Sequence, residues 1–260
     1  MNHHHLVTTY YAPTEAAKRH YNDILGAEDI HFLNAGSLRD STDDWVKEHV
    51  EFETDKDIAK LNPHWCELTT LWHAWKNLSP NWKDDDTVQH SHYRKFLQVP
   101  DEDADAYVPR PYPMLFMQNK SIARCTIATG TKICHPHQSW ALMEKQICRT
   151  YSDTLLFREW ADLKFMPAPI NIWRTKVSIF KEYCEWLFPK AFEIEGQIPY
   201  ESEEYKTAYQ RRALSFIGER MWSFYCWRME KNGAKVIQCD WKMLDGAKPI
   251  TDAEERRTRI

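Results

Sequence analysis

The sequence predicts an α/β domain, a central mixed sheet flanked by helices, and two stretches predict it. Residues 6–11 (LVTTYY), a polar-apolar helical pattern to Leu25, and residues 30–33 read as strand, helix, strand. Further on, Leu68, Leu71, Trp72 and Trp75 recur at i, i+3, i+4 and i+7, one apolar stripe of an amphipathic helix. The segment TVQHSHYRKFL that follows is rich in β-branched and aromatic residues, which makes 87–96 a strand.

Taken in order, His3-His4-His5 read as a terminus without chemistry, and the first strand, 6–11, stops at Ala12-Pro13. Thr14 caps a helix whose one face carries Ala17, Tyr21 and Ile24 or Leu25, with Gly26 closing it. Asn34-Ala35-Gly36 ends the second strand. A βαβ opening binds ligands at the carboxyl ends of its strands, so the loops 8–13 and 34–37 become candidates for a nucleotide base and ribose. Thr9, Tyr10, Tyr11 and Asn34 are their residues. The absence of G-x-G-x-x-G and of a P-loop disfavours a dinucleotide or ATP site.

Residues 37–61 are polar and read as a surface excursion with room for one helix. Asn62-Pro63 starts the striped helix, since proline is tolerated in a first turn. Residues 98–113 combine an acidic run at 101–105 with four prolines and read as a solvent-exposed loop, a lid or acceptor flap. Residues 114–118 form a short strand. Helices follow near 139–150 and through Ala161, and Pro167 and Pro169 force an extended approach to Asn171. A helix over 176–187 buries Val177, Phe180, Tyr183, Cys184 and Leu187, with Pro189 as its stop. The longest helical pattern, 201–231, ends at Asn232-Gly233; 236–241 is a last strand, and the tail from Lys248 is charged and frayed.

Composition excludes several classes. A net charge of −4 and a pI near 6.3 argue against a nucleic-acid surface. Seven cysteines at irregular spacing without a C-x-x-C pair favour reduced thiols in a cytosol-like compartment. With no 18-residue apolar run and no signal peptide, a cytoplasmic protein without a transmembrane segment is expected, peripheral membrane contact remaining open. Twelve tryptophans, scattered along the chain, serve mostly rigid packing, with a smaller share as platforms for sugar rings.

Asn62, Pro63, Cys66, Glu67, Leu68, Thr69, Leu71, Ala74, Trp75, Lys76 and Asn77, followed by His92, Tyr93, Arg94 and Phe96, match a known hallmark. It is close to N-P-x-Y-C-E-L-T-x-L-x-x-A-W-K-N and then H-Y-R-R-Y/F. A second block comprises Asn171, FKEYCEWLFP (180–189) and YQRRALSFIGER (209–220). Over roughly 60–220 the chain resembles the bacterial capsular-polysaccharide glycosyltransferase-like proteins, long filed as a domain of unknown function. The resemblance implies a GT-A-like, Rossmann-type single domain over 1–247. Its nucleotide-binding half would be about 1–120 and its acceptor half about 121–247, with 248–260 a tail.

It also implies a chemistry. A glycosyltransferase neutralises a leaving diphosphate, grips the sugar and, for inversion, deprotonates an acceptor hydroxyl. Most GT-A enzymes meet the first need with a divalent metal on an Asp-x-Asp at the end of a central strand. The comparable place here is His92-Tyr93-Arg94, with Lys95 where the hallmark has arginine. Strand alternation puts residues 92 and 94 on one side, and an arginine fork binds phosphate oxygens without a metal. Glu67 is then placed to bond sugar hydroxyls, and Asn171, Arg212 and Arg220 join the nucleotide-binding set. Glu219, seven residues beyond Arg212, shares its face and offers an internal ion pair instead. The base stays open among Glu67, Asp101 and Asp103. No cofactor is expected; Mn²⁺ or Mg²⁺ on the acidic run 101–105 is the alternative. The partners implied are a nucleotide-sugar donor, UDP-sugar favoured, and a glycan or lipid-linked saccharide acceptor. Two competing functions are a metal-dependent hydrolase using His90-x-His92, His135-x-His137 and Asp84-Asp85-Asp86, and a non-catalytic carbohydrate-binding protein.

Overall fold

The computed structural model describes residues 2–24, 29–36, 38, 40–52, 56–118 and 121–244. The chain opens with β1 (His3–Thr9), α1 (Glu15–Ile24), β2 (Asp29–Asn34), α2 (Asp44–His49) and β3 (Val50–Glu51). Then come α3 (Lys56–Trp65), α4 (Glu67–His73), β4 (Thr87–His92), β5 (Lys95–Leu97), β6 (Ala106–Pro109), β7 (Tyr112–Pro113), β8 (Leu115–Gln118) and β9 (Ser121–Arg124). The second half holds α5 (Ile127–Cys134), α6 (His137–Ile147), α7 (Tyr151–Ala161), β10 (Phe165–Met166), β11 (Trp173–Lys176) and α8 (Val177–Glu195). It closes with α9 (Ala208–Arg211), α10 (Ala213–Lys231), β12 (Val236–Cys239) and β13 (Trp241–Met243).

Among these residues a nine-stranded mixed sheet runs β12-β6-β11-β4-β1-β2-β3, with β5 added to β4 and β13 to β5. The strands β4, β1, β2 and β3 are parallel, as the βαβ opening requires, and β11 is antiparallel to both its neighbours. Helices cover both faces, so successive residues of a central strand enter different cores. Leu6 joins the large core of α4, α8 and α10, and Val7 joins the smaller one with Tyr21 and Phe32. Trp65, Trp160, Trp173 and Trp222 are fully buried, which is the packing role read for the tryptophans. All seven cysteines are free.

Several boundaries differ from the sequence reading, each for a tertiary reason. Asn62-Pro63 does not start a helix: α3 runs through Pro63 to Trp65, and the break falls at Cys66, whose φ is +48°. Beyond α4 the hallmark continues as a π-helical turn, Ala74–Leu78. The predicted strand 87–96 is two strands joined by a turn at Tyr93-Arg94, with His92 paired to Lys95, so alternation does not relate residues 92 and 94. Residues 37–61 supply two helices rather than one; Asp43 caps α2 by accepting from the Trp45 N–H at 2.9 Å. The stretch 98–113 is not a solvent-exposed loop throughout, because β6 is buried between β11 and β12, and Asp105 is held by Lys176 at 2.8 Å.

Further along, α5 and β9 were not anticipated, and the last predicted strand is the pair β12 and β13. Pro189 does not stop α8: Ala191 and Ile194 beyond it are buried, and their packing outweighs the lost hydrogen bond. The pattern 201–231 breaks at Arg212 before α10 begins, and α10 ends at Lys231 with Asn232 as its cap and Gly233 beyond it at φ +92°, the terminator expected. Leu25-Gly26, Ser37 and the tail from Lys248 lie outside the described residues.

Two packing features yield measurable expectations. Gly218 of α10 faces Leu68 of α4 so closely that an added Cβ would lie 2.7 Å from Leu68 Cδ2. Both sit in the buried core, so Gly218→Ala is expected to destabilise by about 1–3 kcal/mol in denaturant titration, although alanine favours helix. An unchanged midpoint would mean that α4 and α10 are not in close contact there.

His3-His4-His5 are not an inert terminus either, since they open β1. Three histidines and three carboxylates form a chain across the amino ends of the parallel strands. His4 Nδ1 lies 3.0 Å from Asp29 and Nε2 3.4 Å from Asp86, and His31 Nε2 is 3.2 Å from Asp29. His31 Nδ1 is 2.7 Å from Glu51, which lies 3.8 Å from His73 of α4. Burial pulls His31 down, but Glu51 and Asp29 outweigh it and hold the imidazole above its ordinary value. Burial pushes Glu51 up, yet His31 and His73 bring its carboxyl to about 2. His31 therefore stabilises the fold below about pH 6.5, and that contribution is lost as pH rises through its raised folded value. Glu51 and Asp29 are depressed, and their contribution is lost as pH falls below about 4.5. The contribution of this cluster to the melting temperature is expected to be highest between about pH 5 and 6.5 and to decline toward pH 8, while His90 and His92, held below their ordinary value by burial, oppose it on the acid side. His31→Gln should flatten that alkaline decline; an unaltered slope would remove His31 as its cause.

Candidate active site

β1 and β4 run side by side to the same end, where Thr8 stands opposite His92. Four further segments close on that end: the turn after β4, the start of α4, the loop before β11 and the start of α10. Each is fixed by a specific bond. The Tyr93 N–H donates to the Thr8 carbonyl at 2.9 Å, which turns the chain as β4 ends. Ile170 and Asn171 both adopt positive φ, +61° and +44°, conformations that cost non-glycine residues energy and cluster at functional sites.

Glu67 is the hub. Its carboxylate is 5% exposed and accepts from three segments: Tyr10 Oη at 2.5 Å, Ser215 Oγ at 2.8 Å and Asn171 Nδ2 at 3.4 Å. A second chain lies beneath it. His90 bonds the Asn171 carbonyl through Nδ1 at 2.8 Å and Thr8 Oγ1 through Nε2 at 2.8 Å, and Thr8 meets Thr70 at 2.7 Å. These contacts explain why a strand as polar as β4 can be buried: its side chains find partners inside. Burial brings His90 to about 4, so it is neutral at physiological pH.

The mouth of the site is cationic. Burial and then Lys95 push His92 well below its ordinary value, with His90, Arg212 and Arg94 acting in the same direction. His92 is thus a neutral imidazole among three cations. Burial also lowers Lys95, while Glu219 and Glu67 oppose that shift. The Arg212 guanidinium stands 5.7 Å from the Tyr10 ring and 5.5 Å from that of Phe216. Its Nε donates to Cys66 Sγ at 3.1 Å, not to Glu219. Glu219 instead accepts from the Ile170 N–H at 3.3 Å.

Of the residues singled out from sequence, Glu67, Tyr10, His92, Tyr93, Arg94, Lys95, Asn171 and Arg212 come together here. Tyr11, 67% exposed, joins the rim with its ring edge 6.3 Å from Tyr93. Thr9 is buried and donates to the Val7 carbonyl, and Asn34 Oδ1 accepts from the Leu38 N–H, so both shape loops. Arg220 is directed elsewhere, to Thr131, the Phe216 carbonyl and His135. Sequence reasoning missed Ser215 and the role of the Cys66 thiol. A lone serine between Leu214 and Ile217 on a buried helical face was the available signal.

Among the described residues, no group of three or more His, Cys, Asp or Glu side chains is arranged to hold a metal ion. Asp84 pairs with Lys181, Asp86 accepts from the Asn2 N–H, and His135 faces Arg220, so the pieces of the His-x-His hydrolase reading are dispersed.

A family described as a domain of unknown function (DUF4422) matches residues 39–232. The chain belongs to this family. The DUF4422 match spans α4, β4 and α10 and so contains most of the site. Among solved structures, an apo structure of WbbM, a bifunctional glycosyltransferase, superposes with a TM-score of 0.67 at 18% identity. The superposition covers 97% of this chain but 48% of that one, so the DUF4422 chain spans about half the length of its structural relative. The likeness is one of fold, and it agrees with the GT-A-like class expected from sequence. No curated protein matches the chain.

Proposed function

We propose that this protein is a glycosyltransferase, moving a sugar from a nucleotide-sugar donor to a glycan or lipid-linked saccharide acceptor in surface-polysaccharide synthesis. The observation that carries this reading is the convergence of Arg94, Lys95 and Arg212 on the carboxyl ends of β1 and β4, beside Glu67. Ligands of open α/β sheets bind at such ends, and a diphosphate needs that concentration of positive charge. The fold shared with a bifunctional glycosyltransferase supports the same reading.

In this proposal Tyr10, Tyr11 and Tyr93 form the donor's nucleoside side, with a UDP-sugar favoured, and 121–247 contributes the acceptor side. Arg94 and Lys95 meet the diphosphate, and neutral His92 offers a hydrogen bond without adding charge. One imidazole among three cations does not suit a divalent metal, so donor binding is taken as metal-independent. Glu67, engaged by Tyr10, Ser215 and Asn171, orders the pocket around the sugar. No helix among the described residues is long and apolar enough to cross a membrane; a cytoplasmic location with peripheral access to a lipid-linked acceptor belongs to the proposal.

The test is a thermal-shift screen of nucleoside diphosphates and their sugars. A nucleoside diphosphate is expected to raise the melting temperature, as any ligand selective for the folded state does. Stabilisation by free glycans with none by nucleotides would replace the transferase with a carbohydrate-binding protein.

A further inference from the structure

We propose that Arg212 is the fork that grips the donor's diphosphate, and that Cys66 is the positioning residue that aims it. The inference rests on the transferase reading and assigns a role within the same site.

The backbone at Cys66 is the first observation. Its φ of +48° and ψ of −117° form a conformation that side chains rarely adopt, at the boundary between α3 and α4. A helix N-cap there would call for Ser, Thr, Asp or Asn, yet Cys66 makes no side-chain capping bond. The thiol is buried and is turned instead onto Arg212, with Nε to Sγ at 3.1 Å. The strained backbone thus serves a contact to another helix, not the start of its own.

The second observation is the state of the guanidinium. It is flanked by the rings of Tyr10 and Phe216, and Tyr10 is itself fixed through its hydroxyl to Glu67. Among the described residues only Nε has a hydrogen-bond partner, which leaves the Nη1 and Nη2 edge for a ligand. An arginine flanked by two rings and tethered at Nε loses little freedom on binding, and its planar edge matches two phosphate oxygens.

The choice of a thiol then has a physical reason. A carboxylate holding Nε would neutralise the guanidinium that has to attract an anion. Burial and the neighbouring Glu67 carboxylate push the Cys66 thiol up, so it stays uncharged at physiological pH. It orients Arg212 and leaves the positive charge for the ligand. Arg212 also acts on His92 and Lys95 electrostatically, so the fork lies in the same field as the β4 turn.

Calorimetric titration with UDP and with pyrophosphate, alongside the ¹⁵N-resolved Nε–H resonance of Arg212, tests this. Arg212→Lys is expected to weaken both ligands by about tenfold, because a point charge replaces the fork. Cys66→Ala should weaken them by roughly three- to tenfold and broaden the Nε–H resonance, while Cys66→Ser should restore both to within about twofold. The serine variant and the wild-type resonance keep the test decisive if the alanine variant fails to fold. UDP binding indifferent to Cys66→Ala and Arg212→Lys would overturn the fork and leave the nucleotide-sugar reading intact. Pyrophosphate binding that depends on Cys66, without any UDP binding, would sink the nucleotide-sugar reading and keep the fork. Failure of the wild type to bind either ligand overturns both.

Discussion

Arg94→Ala is expected to abolish sugar transfer and to weaken nucleoside-diphosphate binding by at least about tenfold. Hydrogen bonds to charged groups contribute about 1.5–3 kcal/mol each, and 1.4 kcal/mol is already a factor of ten. Arg94 sits in the turn between β4 and β5, where its carbonyl accepts from the Leu244 N–H at 2.8 Å and its guanidinium lies 5.9 Å from the Tyr93 ring. The backbone is anchored and the side chain half-buried at the mouth, so its loss should affect the ligand more than the fold. Arg94→Lys should recover only part of the affinity, since an ammonium cannot reproduce a bidentate contact. Binding by the unaltered protein should survive a chelator. If chelation removes it and Mn²⁺ or Mg²⁺ restores it, the cationic mouth is not what holds the diphosphate. The acidic run at 101–105 would then have to release Asp105 from Lys176 and Glu102 from Lys235 to serve as ligand.

Glu67→Ala should have the largest effect on stability of any single change at the site. It leaves the Tyr10 hydroxyl, the Ser215 hydroxyl and the Asn171 amide inside the protein without their acceptor. Unsatisfied buried donors cost about 1–3 kcal/mol each, so a loss of about 3–5 kcal/mol in urea unfolding is expected. Glu67→Gln keeps the shape and one oxygen acceptor and should lose only about 1–2 kcal/mol. Because the three donors come from the end of β1, the loop before β11 and α10, both variants should also loosen the pocket and lower nucleotide affinity. Full stability in Glu67→Ala would mean that this carboxylate does not join those segments, and the hub would have to be sought elsewhere.

The sequence by itself determined what rests on local chemistry. The β-rich run at the start of the βαβ opening, the turn residues Ala12-Pro13 and Asn34-Ala35-Gly36, the apolar stripe Leu68, Leu71, Trp72 and Trp75, and the Gly233 terminator each act within a few residues, and each appears in the fold. The resemblance to a known hallmark, not spacing, put Glu67, His92, Arg94, Asn171 and Arg212 among the site candidates. Only the tertiary structure decided the rest. Gln89, His90 and Ser91 look like solvated residues until Arg174, Asn171 and His5 satisfy them across the sheet. Pro189 looks like a stop until the buried Ala191 and Ile194 carry the helix past it. Arg212 and Arg220 differ little as letters. One is tied to Cys66 and the other to Thr131 and His135, partners 146 and 85–89 positions away in the chain. Burial and long-range pairing set those outcomes, and neither is encoded in the spacing of neighbouring residues.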